Sequence, residues 1–415
     1  MRLTRRGPDF VFLPTYVLAM LGAHIGFMPL LVLLLPRRVE AIATHDKIAL
    51  LSWLLLGGAL VASVAHIAAG HLSDRWFARH GRRRGMIAIG LGALVAAYAL
   101  LAVAQSIAML AVAVVAFQAA LNLMFAPLGA LLADHVVDRN KGLTSGLLNL
   151  ALPMSGVVVT VIGLWSRVDA AWPFLVVAAL IAIAVAPLLL AWPAGLELVP
   201  AARGADAATP VAEVPVGDRG LIRNFVFAFV ARMLIQLGAA VVLSYLYFYV
   251  EAIAHKAAHF TPASVSGGVG ILSLIATAMS LVAGVAGGRA SDVFGRRRVP
   301  LMIAAVVCAG SLAGLAMAGD WRLIVASYAG FVAALTVFLS IDAAMVAQMI
   351  GHDPRRGALL GLMNLTNTLP SVAAPAMTLV FGGLFLSSRL FEGLLWTSAA
   401  AALIAAGAMA MVRLR

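Results

Sequence analysis

Long apolar runs separated by short polar connections recur along the whole chain. Each holds about 20 residues or more, enough for a helix rising 1.5 Å per residue to cross a hydrocarbon core of roughly 30 Å. Twelve such runs are predicted, over residues 10–36, 48–73, 84–104, 107–134, 142–165, 171–192, 222–250, 264–290, 299–318, 321–349, 357–386 and 390–412. Between the sixth and the seventh, residues 193–221 form the one long polar stretch, rich in Ala, Pro, Gly and acidic residues, which reads as a flexible linker. The pattern predicts an all-α integral membrane protein with twelve transmembrane helices.

Composition places the chain in lipid: 63% of its residues are hydrophobic and 11% charged, against roughly 45–50% and 25% in soluble domains. The basic start, Met1 to Arg6, followed by an apolar run, has the outline of a signal peptide. The run is too long for that and lacks a small-residue cleavage site, so it reads as a retained first helix. Lys and Arg accumulate in short cytoplasmic loops. With the N-terminus inside, the inner segments hold 21 of the 29 Lys and Arg and the outer loops seven; the remaining one, Arg232, lies within a membrane helix. This predicts a multi-pass protein of the cell's inner (plasma) membrane with both termini cytoplasmic. The same bias accounts for the net charge of +12. Its bases are spread over seven segments with no aromatic stacking surface, so no nucleic-acid partner is expected. The lone Cys308 excludes an intramolecular disulfide.

The chain repeats itself. Asp9-Phe-Val-Phe12 returns as Asn224-Phe-Val-Phe227, and the residues Asp138, Gly142, Gly146 and Asn149 return as Asp353, Gly357, Gly361 and Asn364, both at an offset of 215. Residues 1–192 and 222–415 are therefore two six-helix copies, and equal orientation implies parallel halves related by an axis along the membrane normal. Each half also carries a polar loop signature. The first runs from Gly70 through Asp74 to Gly81-Arg82-Arg83-Arg84, and the second from Gly288 through Asp292 to Gly295-Arg296-Arg297-Arg298.

Two six-helix halves with this signature after helices 2 and 8 resemble the major facilitator superfamily of secondary transporters, and the resemblance covers nearly the whole chain. The first copy has four additional residues between Asp74 and Gly81. That longer form is similar to the loop of plant sucrose transporters and bacterial glycoside/cation symporters, as is Leu132-Ala133-Asp134. Sucrose transporters carry an arginine in helix 4 where this chain has Gly129. The resemblance implies alternating access, a cavity lined by helices 1, 4, 7 and 10, and an inner gate of Gly70, Asp74, Arg82, Gly288, Asp292 and Arg296. Glycines permit close helix approach, and an aspartate suits the positive end of a facing helix. The resemblance implies helix 11, starting near Gly357, for Asp74; the repeat gives helix 5, starting near Gly142, for Asp292.

A charge at membrane depth costs from about 2.5 kcal/mol upward and marks function. Of the 17 acidic residues only Asp342 is well inside, nine residues before Gly351, or about 13 Å deep. Arg232 lies nine residues beyond Arg223 at a similar depth, so the two can meet. Asp342 is the expected proton-coupling carboxylate, with Arg232 either its partner or the holder of an anionic or polyhydroxy substrate; a static ion pair that only specifies packing is the alternative. Substrate contacts are further expected from His24, from the i, i+4 amides Gln118 and Asn122, and from Gln236, Tyr245, Asn364 and Asn367. Interhelical packing is the competing role for His24 and the amides, and anchoring at the membrane interface for Tyr245. His66 is assigned to cytoplasmic packing. Helices 5 and 11, with Pro153, Pro370 and Pro375, are expected gating elements.

There is no phosphate-cradling Gly-x-x-x-x-Gly-Lys sequence, no metal-ligand cluster and no nucleophile motif. The reading is a transporter rather than an enzyme, without cofactor or metal. Its partners are a small-molecule substrate, protons (or Na⁺) and the lipid bilayer, and it is a monomer. Proton-coupled symport of a small polar solute such as a sugar or glycoside is expected, with proton-coupled export of a drug-like or amphipathic compound as the alternative.

Overall fold

Lipid offers no partner to a backbone N–H or C=O, so a chain this apolar must satisfy them within helices. The computed structural model describes residues 11–43, 45–136, 138–165, 171–192, 219–254, 260, 262–294, 297–350, 356–384 and 389–412, and among them every regular element is helical. In chain order these are α1 (Phe12–Ile25), a π-helical turn (Leu30–Leu34), α2 (Leu35–Ile42), α3 (Lys47–His80), α4 (Arg84–Val103), α5 (Ile107–His135), α6 (Asp138–Asn149), α7 (Ala151–Trp165), α8 (Trp172–Leu190), α9 (Arg219–Ala254), α10 (Val265–Phe294), α11 (Arg298–Ala316), α12 (Trp321–Ile350), α13 (Arg356–Leu384) and α14 (Leu390–Met411). Most of the expected linker, 193–218, lies outside the described residues.

Eleven spans among the described residues are long and apolar enough to cross a membrane. The twelfth expected run is α13, a 29-residue helix that carries Asn364, Thr366, Asn367, Thr368 and Ser371 and is correspondingly more polar. Two expected helices are interrupted. The first breaks after Ile25 and resumes through the π turn, and Tyr98 of α4 donates its hydroxyl to the freed Gly26 carbonyl at 2.8 Å. The fifth is divided at Leu150 into α6 and α7. The four additional residues of the first loop are helical and lengthen α3 by about one turn, ending at Gly81, whose φ of 69° closes the helix in the left-handed conformation.

The chain forms two compact units. The first contains Met1–Ile42, Gly57–Ile162 and Ser166–Ala212; the second contains Ala43–Leu56, Gly163–Trp165 and Glu213–Arg415. In the first, α4 packs against α5 and α8, and α1 against α8. In the second, α11 lies against α12 and α14, α9 against α14 and α13, and α10 against α12.

Glycine sets the closest approach in the first unit. A Cβ at Gly90 of α4 would sit 2.7 Å from both the Cα and N of Met124 on α5, so a side chain there must drive the backbones apart. Gly90→Val is expected to lower stability by about 3 kcal/mol or more, at or beyond the upper end for overpacked cores, read as a fall in the melting temperature of the detergent-purified protein. Gly92→Ala, where nothing lies within 4 Å, should leave it unchanged.

Candidate functional site

Helical spacing brings five polar side chains of the second unit into one chain of contacts. Arg232 and Gln236 share a face of α9 at i, i+4, and Asn364 and Asn367 share a face of α13 at i, i+3. Since α9 packs against both α12 and α13, these faces meet Asp342. Arg232 donates through Nη1 to Asp342 Oδ2 at 3.2 Å and through Nη2 to Asn367 Oδ1 at 3.2 Å. Gln236 Nε2 donates to the same Asn367 oxygen at 2.9 Å, and Asn367 Nδ2 donates onward to Asn364 Oδ1 at 2.9 Å.

Exposure is graded along this chain. Asp342 is 0% exposed, the Arg232 side chain 18%, and Asn364 and Asn367 are exposed. Asp342 Oδ1 and Arg232 Nε are buried and have no hydrogen-bond partner among the described residues. The ion pair thus uses one carboxylate oxygen and leaves the other without a partner among the described residues, an arrangement that depends on Arg232 to offset the cost of a buried charge. Tyr245 stands apart from this network. It is 1% exposed, and because Ser52 spends its hydroxyl hydrogen on the Ile48 carbonyl at 2.7 Å, Tyr245 is the donor in their 2.6 Å contact. Five residues before Ser52, Lys47 forms an ion pair with Glu251.

In the first unit, Asn122 Nδ2 donates to the Gln118 carbonyl at 2.9 Å, which turns its Oδ1 toward His66 Nδ1 at 3.1 Å. That acceptor requires the His66 hydrogen on Nδ1 and leaves Nε2 as an acceptor in the neutral ring. His24 is set the same way: Nδ1 faces the Met20 carbonyl at 2.8 Å while the ring meets Phe125 edge-on, centroids 5.2 Å apart. Gln118, Asn122 and His24 are all half-buried.

At the first loop signature the arginine that ties the elements together is Arg83, not Arg82. Arg83 is 5% exposed. It donates to Asp134 Oδ2 at 2.7 Å, to Ser73 Oγ at 2.6 Å and to Asp74 Oδ1 at 3.0 Å, with its guanidinium 4.9 Å above the Phe77 ring. Arg82 is exposed, and a Cβ at Gly70 would meet nothing within 4 Å. In the second copy, Gly288 and Asp292 belong to the last turns of α10, where their side chains are not described, and Arg296 lies outside the described residues.

Sequence reasoning does not single out Arg83 from its two arginine neighbours, nor His66 from the packing residues around it. The signal for Arg83 is Asp134, an acid at the end of a span with no assigned partner. For His66 it is Asn122, whose amide suits a histidine partner as well as a solute.

The model of the Major Facilitator Superfamily matches residues 11–286. None of the curated proteins matches the sequence. Among solved structures, a mutant of the peptide transporter POT in complex with alafosfalin superposes with a TM-score of 0.74 at 14% identity, covering 98% of this chain and 95% of that one. The nucleoside transporter NupG gives 0.71 at 14% identity, over 98% and 100%. An inward-facing, unoccupied bacterial homolog of the human lysosomal transporter Spinster gives 0.64 at 12%, over 99% and 96%. At such identities the structures show a shared fold. With the family match extending over more than half of its length, the chain belongs to the major facilitator superfamily and is a multi-pass membrane transporter.

Proposed function

We propose that the protein is a proton-coupled symporter of a small polar solute such as a sugar or glycoside, working by alternating access in the inner membrane with both termini cytoplasmic. The observation that carries this reading is the graded chain from buried Asp342 through Arg232 to exposed Asn367. A solute engaging the Arg232 and Asn367 end loosens the arginine from the carboxylate, and Asp342 then takes a proton, because a buried carboxylate without its cation is unstable. Substrate contacts are assigned to His24, Gln118 and Asn122 in the first unit and to Arg232, Gln236, Asn364 and Asn367 in the second. The moving bodies are residues 1–192 and 222–415, joined by 193–221. The gate is assigned to the two loop signatures, with Asp74 and Asp292 as its helix-capping acids and Arg83 holding Asp74 in the first.

A second reading has its own support. A groove of about 580 Å³ in the first unit, lined by alanines such as Ala65, Ala69, Ala96 and Ala120 together with Leu72 and Leu123, offers no polar side chain and suits an amphipathic compound. That reading is export by proton antiport, consistent with Gly129 in place of an arginine.

Proteoliposomes holding a luminal pH dye separate the two. Addition of the transported solute, sought among sugars, glycosides and organic anions, is expected to acidify the lumen. Alkalinisation by an amphipathic drug would transfer the assignment to antiport, and no response to any class would remove proton coupling from the account.

A further inference from the structure

The charge inventory of the Arg232 site narrows the solute. At rest, Arg232 and Asp342 cancel, one cation against one anion. The other 16 acidic residues lie in loops or at helix ends, and the polar side chains around the pair, Gln236, Asn364 and Asn367, are neutral amides. If a neutral solute bound and Asp342 were protonated, Arg232 would be left as an uncompensated cation, mostly out of water, which is strongly unfavourable. A solute bearing one negative charge restores the balance.

The geometry provides the route. Arg232 already spends Nη1 on Asp342 and Nη2 on Asn367, and Asn367 is exposed where Asp342 is not. A carboxylate arriving from the Asn367 side first replaces the amide oxygen on Nη2. A guanidinium binds a carboxylate best through both terminal nitrogens at once, so completing that fork takes Nη1 from Asp342. Asn367 keeps its second donor, Gln236 Nε2, and so is not stranded by the exchange. Asp342 is left fully buried with neither oxygen bonded, and it accepts a proton from the open side. Loaded and empty sites then carry the same net charge, zero.

We infer that the transported solute is a small hydroxylated monocarboxylate, of the sugar-acid class, carried with one proton in an electroneutral step at Arg232 and Asp342. This rests on the proton-symport reading above and adds the charge of the solute and the absence of net charge movement.

The test uses the full chain in proteoliposomes, with protein-free vesicles as the baseline, and compares glucuronate and gluconate with glucose and methyl glucoside. Sugar acids are chosen because they cross bare lipid poorly. Luminal acidification and uptake are followed with and without a potassium diffusion potential set by valinomycin. The expected result is protein-dependent acidification by a sugar acid, none by the neutral sugars, and steady-state accumulation changed less than about twofold by the potential. Movement of one net charge would instead shift accumulation by about tenfold or more. Acidification by the neutral sugars, or a potential-dependent accumulation, overturns the electroneutral monoanion assignment while leaving proton symport standing. Absence of proton flux with all four compounds overturns both.

Discussion

Asp342→Asn should abolish accumulation of solute against its gradient while leaving downhill exchange measurable. Asparagine keeps the volume of the side chain and an acceptor oxygen for Arg232 Nη1, now 3.2 Å from Asp342 Oδ2, but it cannot take up or release a proton between pH 5 and 8. Arg232 retains its second bond to Asn367 and its partial exposure, which offset part of the cost of leaving the cation uncompensated in the empty site. The expected pattern is folded protein with a lowered melting temperature, counterflow within about tenfold of wild type, and proton-driven accumulation reduced to the equilibrium value. Accumulation by Asp342→Asn that still depends fully on the proton gradient would remove this residue from coupling. An intact protein with neither counterflow nor accumulation would assign Asp342 to binding instead.

Arg232→Gln should be the more damaging of the two. It leaves Asp342, 0% exposed and with Oδ1 unpartnered among the described residues, without the cation that stabilises it. Breaking a buried pair by deleting one partner costs about 3–5 kcal/mol when the remaining charge persists. Protonation of Asp342 relieves that cost, so the loss of melting temperature relative to wild type should be large at high pH and shrink as pH falls. In the double variant Arg232→Gln/Asp342→Asn the buried charge is gone, and most of the stability returns without transport coupling. Thermal unfolding in detergent across pH 5 to 9 reads both effects. An equal loss at all pH values, or a double variant less stable than Arg232→Gln, would show that the pair acts only through packing.

The fold was legible in the sequence because lipid leaves few alternatives. A run such as Trp172–Leu190 can satisfy its backbone only as a helix, and the offset of 215 residues revealed the duplication. Breaks inside runs were less visible. Nothing in the hydropathy of residues 10–36 distinguishes Gly26 from a packing glycine, and the break is held by Tyr98, 72 residues away. The site was legible in its rarest members: a single acid and a single base at equal depth meet as their spacing suggested.

The connecting amides were less determined. Asn364 and Asn367 are common packing residues in membrane helices, and only the approach of α13 to α9 makes Asn367 the link between Arg232 and Gln236. Tyr245 shows the converse. Its position near the outer end of α9 suited a ring-stacking role, but the residue is buried and donates to Ser52 of α3, a contact between residues 193 positions apart in the chain. In the signature loop, three consecutive arginines are equivalent as a charge pattern. Fold geometry selects Arg83, the residue immediately before α4, to reach Asp74 and Asp134 together.

The most direct test of proton coupling is solute uptake into proteoliposomes with and without an imposed proton gradient, acid outside, at equal solute concentration on both sides. Wild-type protein is predicted to accumulate solute above the external concentration while the gradient lasts, and to lose that accumulation when a protonophore is added. Accumulation unaffected by the protonophore, or equilibration with no overshoot in either condition, would contradict proton-driven symport through Asp342.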